Sequence, residues 1–175
     1  MDRCSALLQP NPAVLPPSSK IQALRWTSLT PNTDSSAFTP DDKGVTRMRT
    51  ASDSVTSSAF WELPSGTRLK GGDSIQGSIR MAPSRPRCTF QIDLVSSAKE
   101  VFQYSEAHPL DQDWQPFHWE LQDFRPCFWS RFPAPTTNTL SNIEFVKVTV
   151  RGLEKGDTVE LRDFEIHLRP GHPQR

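Results

Sequence analysis

Eight aromatic residues fall within 29 positions: Tyr104, Trp114, Phe117, Trp119, Phe124, Phe128, Trp129 and Phe132. A ring set between polar neighbours offers a flat platform for the apolar face of a sugar. Arg125, Arg131 and Gln122 stand among these rings and could serve the hydroxyls. The candidate ligand-binding set is Trp114, Trp119, Trp129 and Tyr104 with Arg125 and Gln122. The same rings equally suit a core between two sheets. Trp114 and Phe117 have opposite parity about Pro116, whereas Phe117 and Trp119 share parity. One face therefore cannot hold them all.

Other chemistry is poorly represented. The four histidines, His108, His118, His167 and His172, stand in no metal-ligand spacing, and no G-x-S-x-G nucleophile elbow occurs. Gly71-Gly72 leads into Asp73 rather than a lysine-serine pair, so it reads as a turn, not a phosphate loop. Asp41-Asp42 and Asp111 with Asp113 are acidic loops whose ordinary role is solvation; the alternative is calcium. Glu62, Glu120 and Glu144 could form a hydrolytic carboxylate pair only if two of them met in space. No catalytic residue, metal or cofactor is expected, and the chain is not expected to be an enzyme.

Positioning the rings falls to short strands. Sixteen prolines against eight glycines in 175 residues disfavour long helices and central strand positions alike. Strand patterns run over Ile21–Leu29, Gly44–Arg49, Val55–Leu63, Ser74–Met81, Arg87–Val95, Asp113–Leu121, Asn142–Arg151 and Thr158–Leu168, and Arg125 to Phe132 adds further rings. Ser96 to Phe102 suits a short helix or another strand. Within Arg87–Val95, Cys88, Phe90, Ile92 and Leu94 alternate with Arg87, Thr89, Gln91 and Asp93, the pattern of a half-buried strand. Gly77, between Ile75 and Ile79, marks a bulge or a close backbone approach. Asn142–Arg151 and Thr158–Leu168, with Glu154-Lys-Gly-Asp157 between them, read as a closing hairpin. About nine short strands parted by glycine and proline predict an all-β, antiparallel jelly-roll sandwich.

Residues 1–19, with four prolines, read as a flexible arm, residues 20–170 as the sandwich and 171–175 as a tail. Twenty basic residues balance twenty acidic ones, which gives no electrostatic reason to expect nucleic acid or a membrane surface as partner. No apolar run approaches the roughly 18 residues of a membrane span, and Arg3 is followed by no secretory apolar stretch. The expected setting is the cytoplasm, or release within an assembly. Cys4, Cys88 and Cys127 form no framework; Cys88 and Cys127 either pair or are buried thiols.

The order of motifs resembles the galactose-binding-like jelly rolls, which include many carbohydrate-binding modules. Trp26 lies in the first strand. Leu69-x-x-Gly-Asp-Ser-Ile-x-Gly-Ser-Ile-Arg80 is followed by Cys88-Thr-Phe-Gln-Ile-Asp-Leu94, then by Trp114-Gln-Pro-Phe117 and by Val159-Glu-Leu-Arg-Asp-Phe-Glu-Ile166. The resemblance covers residues 20 to 168. Arg162 stands where the family's closing motif has its first Asp, so the family's structural calcium is not expected here. The resemblance implies a non-catalytic module that binds a glycan or polysaccharide. The alternative is a structural or adhesion subunit of a virion or phage tail, with the N-terminal arm and the rings contacting other protein subunits.

Overall fold

The computed structural model describes residues 19–23, 26–27, 33–34, 40–50, 56–65, 67–83, 87–104, 107–127, 140 and 142–170. They form thirteen strands and one 3-10 turn at Leu121–Asp123. The strands are β1 (Ser19–Gln22), β2 (Trp26–Thr27), β3 (Thr33–Asp34), β4 (Thr46–Thr50), β5 (Thr56–Glu62), β6 (Ser74–Ala82), β7 (Thr89–Ser96), β8 (Val101–Tyr104), β9 (His108–Pro109), β10 (Gln115–Glu120), β11 (Phe124–Pro126), β12 (Ile143–Arg151) and β13 (Thr158–Leu168). Sheet I runs β10-β6-β13-β4-β3, with β1 also on β13. Sheet II runs β11-β8-β7-β12-β5-β2, with β9 on β7. Every pairing is antiparallel. The two sheets pack as a jelly-roll sandwich, the fold class expected from the strand patterning.

Chain order and sheet order differ in ways local patterning does not carry. Residues 21–29 do not form one strand: β1 joins sheet I, whereas β2 joins sheet II. Ser96 to Phe102 turns at Lys99, at φ 65°, and enters β8 instead of a helix. The expected closing hairpin is also absent, for β12 pairs with β5 and β7 while β13 pairs with β1, β4 and β6. The connection from Gly152 to Asp157 therefore crosses between sheets. Leu153 is the reason: it is only 4% exposed and joins the core cluster, so the loop dips into the sandwich. Gly152 (φ 83°) and Gly156 (φ 90°) supply its left-handed turns, and Asp157 accepts the Glu154 N–H at 2.8 Å. Each sheet thus receives one of the two strands in an interior position, which suits their β-branched and apolar residues.

The core lies between the sheets and contains a run of rings. Trp61 meets Trp26 at 6.1 Å, Trp26 meets Phe164 edge-on at 5.2 Å, Phe164 meets Phe117 at 5.0 Å and Phe117 meets Trp119 at 4.8 Å. In β13, Val159 and Leu161 point inward, and so do Phe164 and Ile166, although their parity differs. A bulge between Arg162 and Glu165 makes the switch, with Asp163 at φ 56°. Gly77 lies opposite the bulge on β6. A Cβ there would sit 2.7 Å from the Phe164 ring and 3.0 Å from that of Phe117. Gly77 is therefore the close approach its sequence position signals, with rings rather than backbone against it. Gly77→Ala overpacks this point and is expected to cost about 1–3 kcal/mol in a denaturant melt. A change under half a kilocalorie would mean that the rings yield freely.

Candidate functional site

Directly opposed residues of an antiparallel ladder project from the same face, so register decides which side chains meet. Across sheet II the register aligns Thr27 with Phe60, Phe60 with Lys147, Lys147 with Asp93, Asp93 with Gln103 and Gln103 with Arg125. This row spans all six strands of the sheet's main path. It lies on the outer face, because the alternate positions Trp61, Val146, Leu94 and Phe102 are buried in the core. On one side runs a second row, Ser58, Thr149 and Gln91, in which the two hydroxyls stand 3.3 Å apart. On the other side Phe145 is aligned with Glu62 and Val95.

Asp93 is the centre of this face. It is only 4% exposed, unusual for a carboxylate on an outer face. Gln103 Nε2 donates to its Oδ1 at 2.9 Å, and Lys147 Nζ stands 3.5 Å from Oδ2. Half-buried Phe60 and Phe145 meet edge to face at 6.2 Å. Lys147 Nζ is 5.9 Å from the Phe60 centroid and Lys99 Nζ 5.6 Å from that of Phe145. The face therefore joins half-buried rings to charged and amide groups, which suits a ligand with an apolar side and many hydroxyls.

Burial pushes the Asp93 carboxyl above the usual range, opposed by the Lys147 charge and the Gln103 hydrogen bond. The sign for stability follows. The folded protein holds this proton to higher pH than the unfolded chain, so Asp93 lowers stability as pH rises through the folded value, and relieves it as pH falls. Asp93→Asn removes that dependence. Relative to the variant, the parent protein is expected to lose stability as pH rises from the ordinary aspartate range through the raised value. Chemical melts at several pH values read this directly, and parallel stability curves would contradict it.

The sequence-derived set is scattered over the molecule. Arg125 closes the outer row of sheet II; it is exposed, and its Nη1 donates to the carbonyls of Gln122 and Phe124. Gln122 is exposed too, but sits in the 3-10 turn, with its N–H on the Gly71 carbonyl at 3.0 Å. Trp119 does not present its ring to solvent. It is 7% exposed and stacked 4.4 Å from Tyr104 at 7°, 5.7 Å from Phe90 and 4.8 Å from His108. The inward parity that Trp119 shares with Phe117 explains this, since both face the other sheet. Tyr104, half-buried, packs against the same core. Trp114 is half-buried beside sheet I, with the guanidinium carbons of Arg80 and Arg162 at 4.6 and 4.1 Å from its ring centroid. Trp129 lies outside the described residues, as do Arg131 and residues 1–18. Asp93, Lys147, Gln103 and Phe60 were not singled out from sequence, although Asp93 and Lys147 stand mid-strand in two of the most regular alternations.

Of the acidic loop candidates, Asp41 has a structural role. Asp41 Oδ1 accepts the N–H groups of Lys43 and Val45, and its Oδ2 meets Arg47 at 2.8 Å. Glu120 is on sheet I, whereas Glu62 and Glu144 lie on the neighbouring strands β5 and β12 of sheet II, where Glu144 is paired with Lys99 at 3.0 Å. Cys88 and Cys127 are both buried, with Cys88 Sγ donating to the Gly152 carbonyl at 3.1 Å. Among the described residues, no group of three or more His, Cys, Asp or Glu is placed to hold a metal, and no helix is long and apolar enough to cross a membrane.

No protein-family model matches the chain, and no curated protein matches it in sequence. Solved structures do match its fold. A family 11 carbohydrate-binding module from Clostridium thermocellum, in complex with a β-1,3-1,4-mixed-linked tetrasaccharide, is similar at TM-score 0.58 and 16% identity, over 87% of this chain and 98% of that one. A family 30 carbohydrate-binding module is similar at TM-score 0.54 and 11% identity, over 85% and 98%. Part of an agarase, AgWH50C, is similar at TM-score 0.56 and 14% identity, over 83% of this chain and 24% of that one. The chain thus shares the jelly-roll fold of these modules, the fold its motif order implied.

Proposed function

We propose that the protein is a non-catalytic glycan-binding module whose ligand lies across the strands on the outer face of sheet II. The observation that carries this reading is the row Phe60, Lys147, Asp93, Gln103 and Arg125, with a nearly buried carboxylate at its centre. Burying a carboxylate is costly even when it is paired, as Asp93 is with Lys147 and Gln103, and an outer face gains little in packing from it. A ligand rich in hydroxyls would use it. Neighbouring strands are about 4.8 Å apart, a step of the same order as one sugar residue in a β-linked chain. The row therefore suits an extended oligosaccharide, with one group or pair of groups per residue, and the Phe60 and Phe145 rings offer apolar faces at one end. The glycan is held and released unchanged.

The fold is that of modules one of which was solved with a β-1,3-1,4-mixed-linked tetrasaccharide, which makes that glycan the first probe. Arg125 is the member of the sequence-derived set that this reading keeps on the face. The test is affinity electrophoresis in gels containing mixed-linked β-glucan, agarose or no polysaccharide. Retardation by a polysaccharide is expected, and it should weaken in Arg125→Ala. Equal mobility in every gel across a wider polysaccharide panel would defeat the reading.

A further inference from the structure

We propose that sheet I carries a second, weaker carbohydrate subsite, a depression beside edge strand β10 that takes one sugar ring. The depression has a volume of about 470 Å³, and a cavity of about 350 Å³ adjoins it around the same strand. Both share Pro116, Phe117 and His118 as walls. This size lies in the range of small-ligand sites, roughly 300–1,000 Å³.

Register explains why the depression is there. Pro116, Ser78 and Arg162 are aligned across β10, β6 and β13. Ser78 is small, so the middle of this row is low. The bulge that follows Arg162 leaves Asp163 in a left-handed conformation at φ 56°, with its side chain 78% exposed at the rim. Such bulges redirect side chains and are over-represented beside binding sites. A non-glycine residue held at positive φ is itself a reason to look for function.

The groups around the depression match a hydroxylated ring. Pro116 is exposed and supplies an apolar surface. The Ser78 hydroxyl makes no hydrogen bond to another described residue and can donate or accept. Among the described residues the Asp163 carboxylate meets the Arg162 Nε, at 3.6 Å, and it keeps acceptor capacity. His118 Nδ1 is held by Gln76 Oε1 at 3.1 Å, which directs the exposed ring, while its Nε2 is 3.5 Å from Glu120. One hydroxyl, one imidazole edge, one carboxylate and a proline face suit a hydroxylated ring better than an anion or an apolar molecule. This site shares no residue with the outer row of sheet II, so the two are separable.

The probe is the β-1,3-1,4-mixed-linked tetrasaccharide, titrated into the labelled 175-residue chain and followed by amide and His118 ring NMR signals. Saturating shifts at Gly77, Ser78, His118 and Asp163 are expected, at higher ligand concentration than those on sheet II. They should persist in Asp93→Asn, which weakens the sheet II site alone. Asp163→Gly keeps the left-handed backbone comfortable, so its melting temperature should be unchanged or higher. It should weaken this subsite about tenfold, the loss of one charge-assisted hydrogen bond. Ser78→Arg, which fills the depression, should abolish the shifts. Wild-type protein with sheet II shifts and none here would overturn the second subsite alone. Shifts here that vanish with Asp93→Asn, or that survive Ser78→Arg, would overturn it too.

Discussion

Trp119→Ala is expected to lower the unfolding free energy by about 3–5 kcal/mol, the usual result of removing a large buried ring. In a chain of this size each kilocalorie moves the melting temperature roughly 2–4 °C, so the variant should melt about 6–20 °C lower. The reason is the number of partners the indole serves. Tyr104 and Phe90 stack on it at 7° and 15°, and His108 and Phe117 lie within 4.8 Å centroid to centroid. Truncation opens a cavity that those rings cannot close together, because Phe117 is also held by Phe164. Conservative Trp119→Phe should recover a large part of the loss. A melting point within 2 °C of the parent protein would return Trp119 to the ligand-binding candidates.

Asp93→Asn is expected to weaken glycan binding about 10- to 100-fold while leaving the sandwich folded. A hydrogen bond to a charged group contributes about 1.5–3 kcal/mol, and a factor of ten corresponds to about 1.4 kcal/mol. Asparagine keeps the shape and can still accept from Gln103, but it loses the charge that holds Lys147 across the row. The effect therefore exceeds that of one neutral contact. Isothermal titration calorimetry with a bound polysaccharide fragment measures it. Trp114→Ala is the control, since Trp114 packs on Arg80 and Arg162 beside the other sheet. Its affinity at the sheet II site should stay within about twofold of the parent value, the error-scale change of a distant site.

The two sites differed in how much of them local pattern could reveal. Alternation in Arg87–Val95 named the buried face of β7, and the same alternation in β12 put Val146, Val148 and Val150 inside. Those readings need only a period of two. The β12–β13 connection misled because its glycines and Asp157 are turn chemistry for a hairpin and for a crossing alike, and only the burial of Leu153 separates them. The parity break at Asp163 was not read from the sequence, because its cause lies across the sheet at Gly77. The ring cluster drew attention by its density, but stacking on rings from β7 and β8 is what makes Trp119 core. The row on sheet II was hidden for the opposite reason. Thr27, Phe60, Asp93, Gln103, Arg125 and Lys147 are spread over more than a hundred positions, and register alone aligns them.

Glycan-induced amide shifts, mapped residue by residue with the mixed-linked tetrasaccharide and with agarose oligosaccharides, test the sheet II face most directly. The expected result is a set of saturating shifts at Phe60, Lys147, Asp93, Gln103 and Arg125, carried by all five strands at once and reduced together in Asp93→Asn. Binding that leaves this row unshifted, or no binding by any member of a broad glycan panel, would contradict the assignment of sheet II as the glycan-binding face.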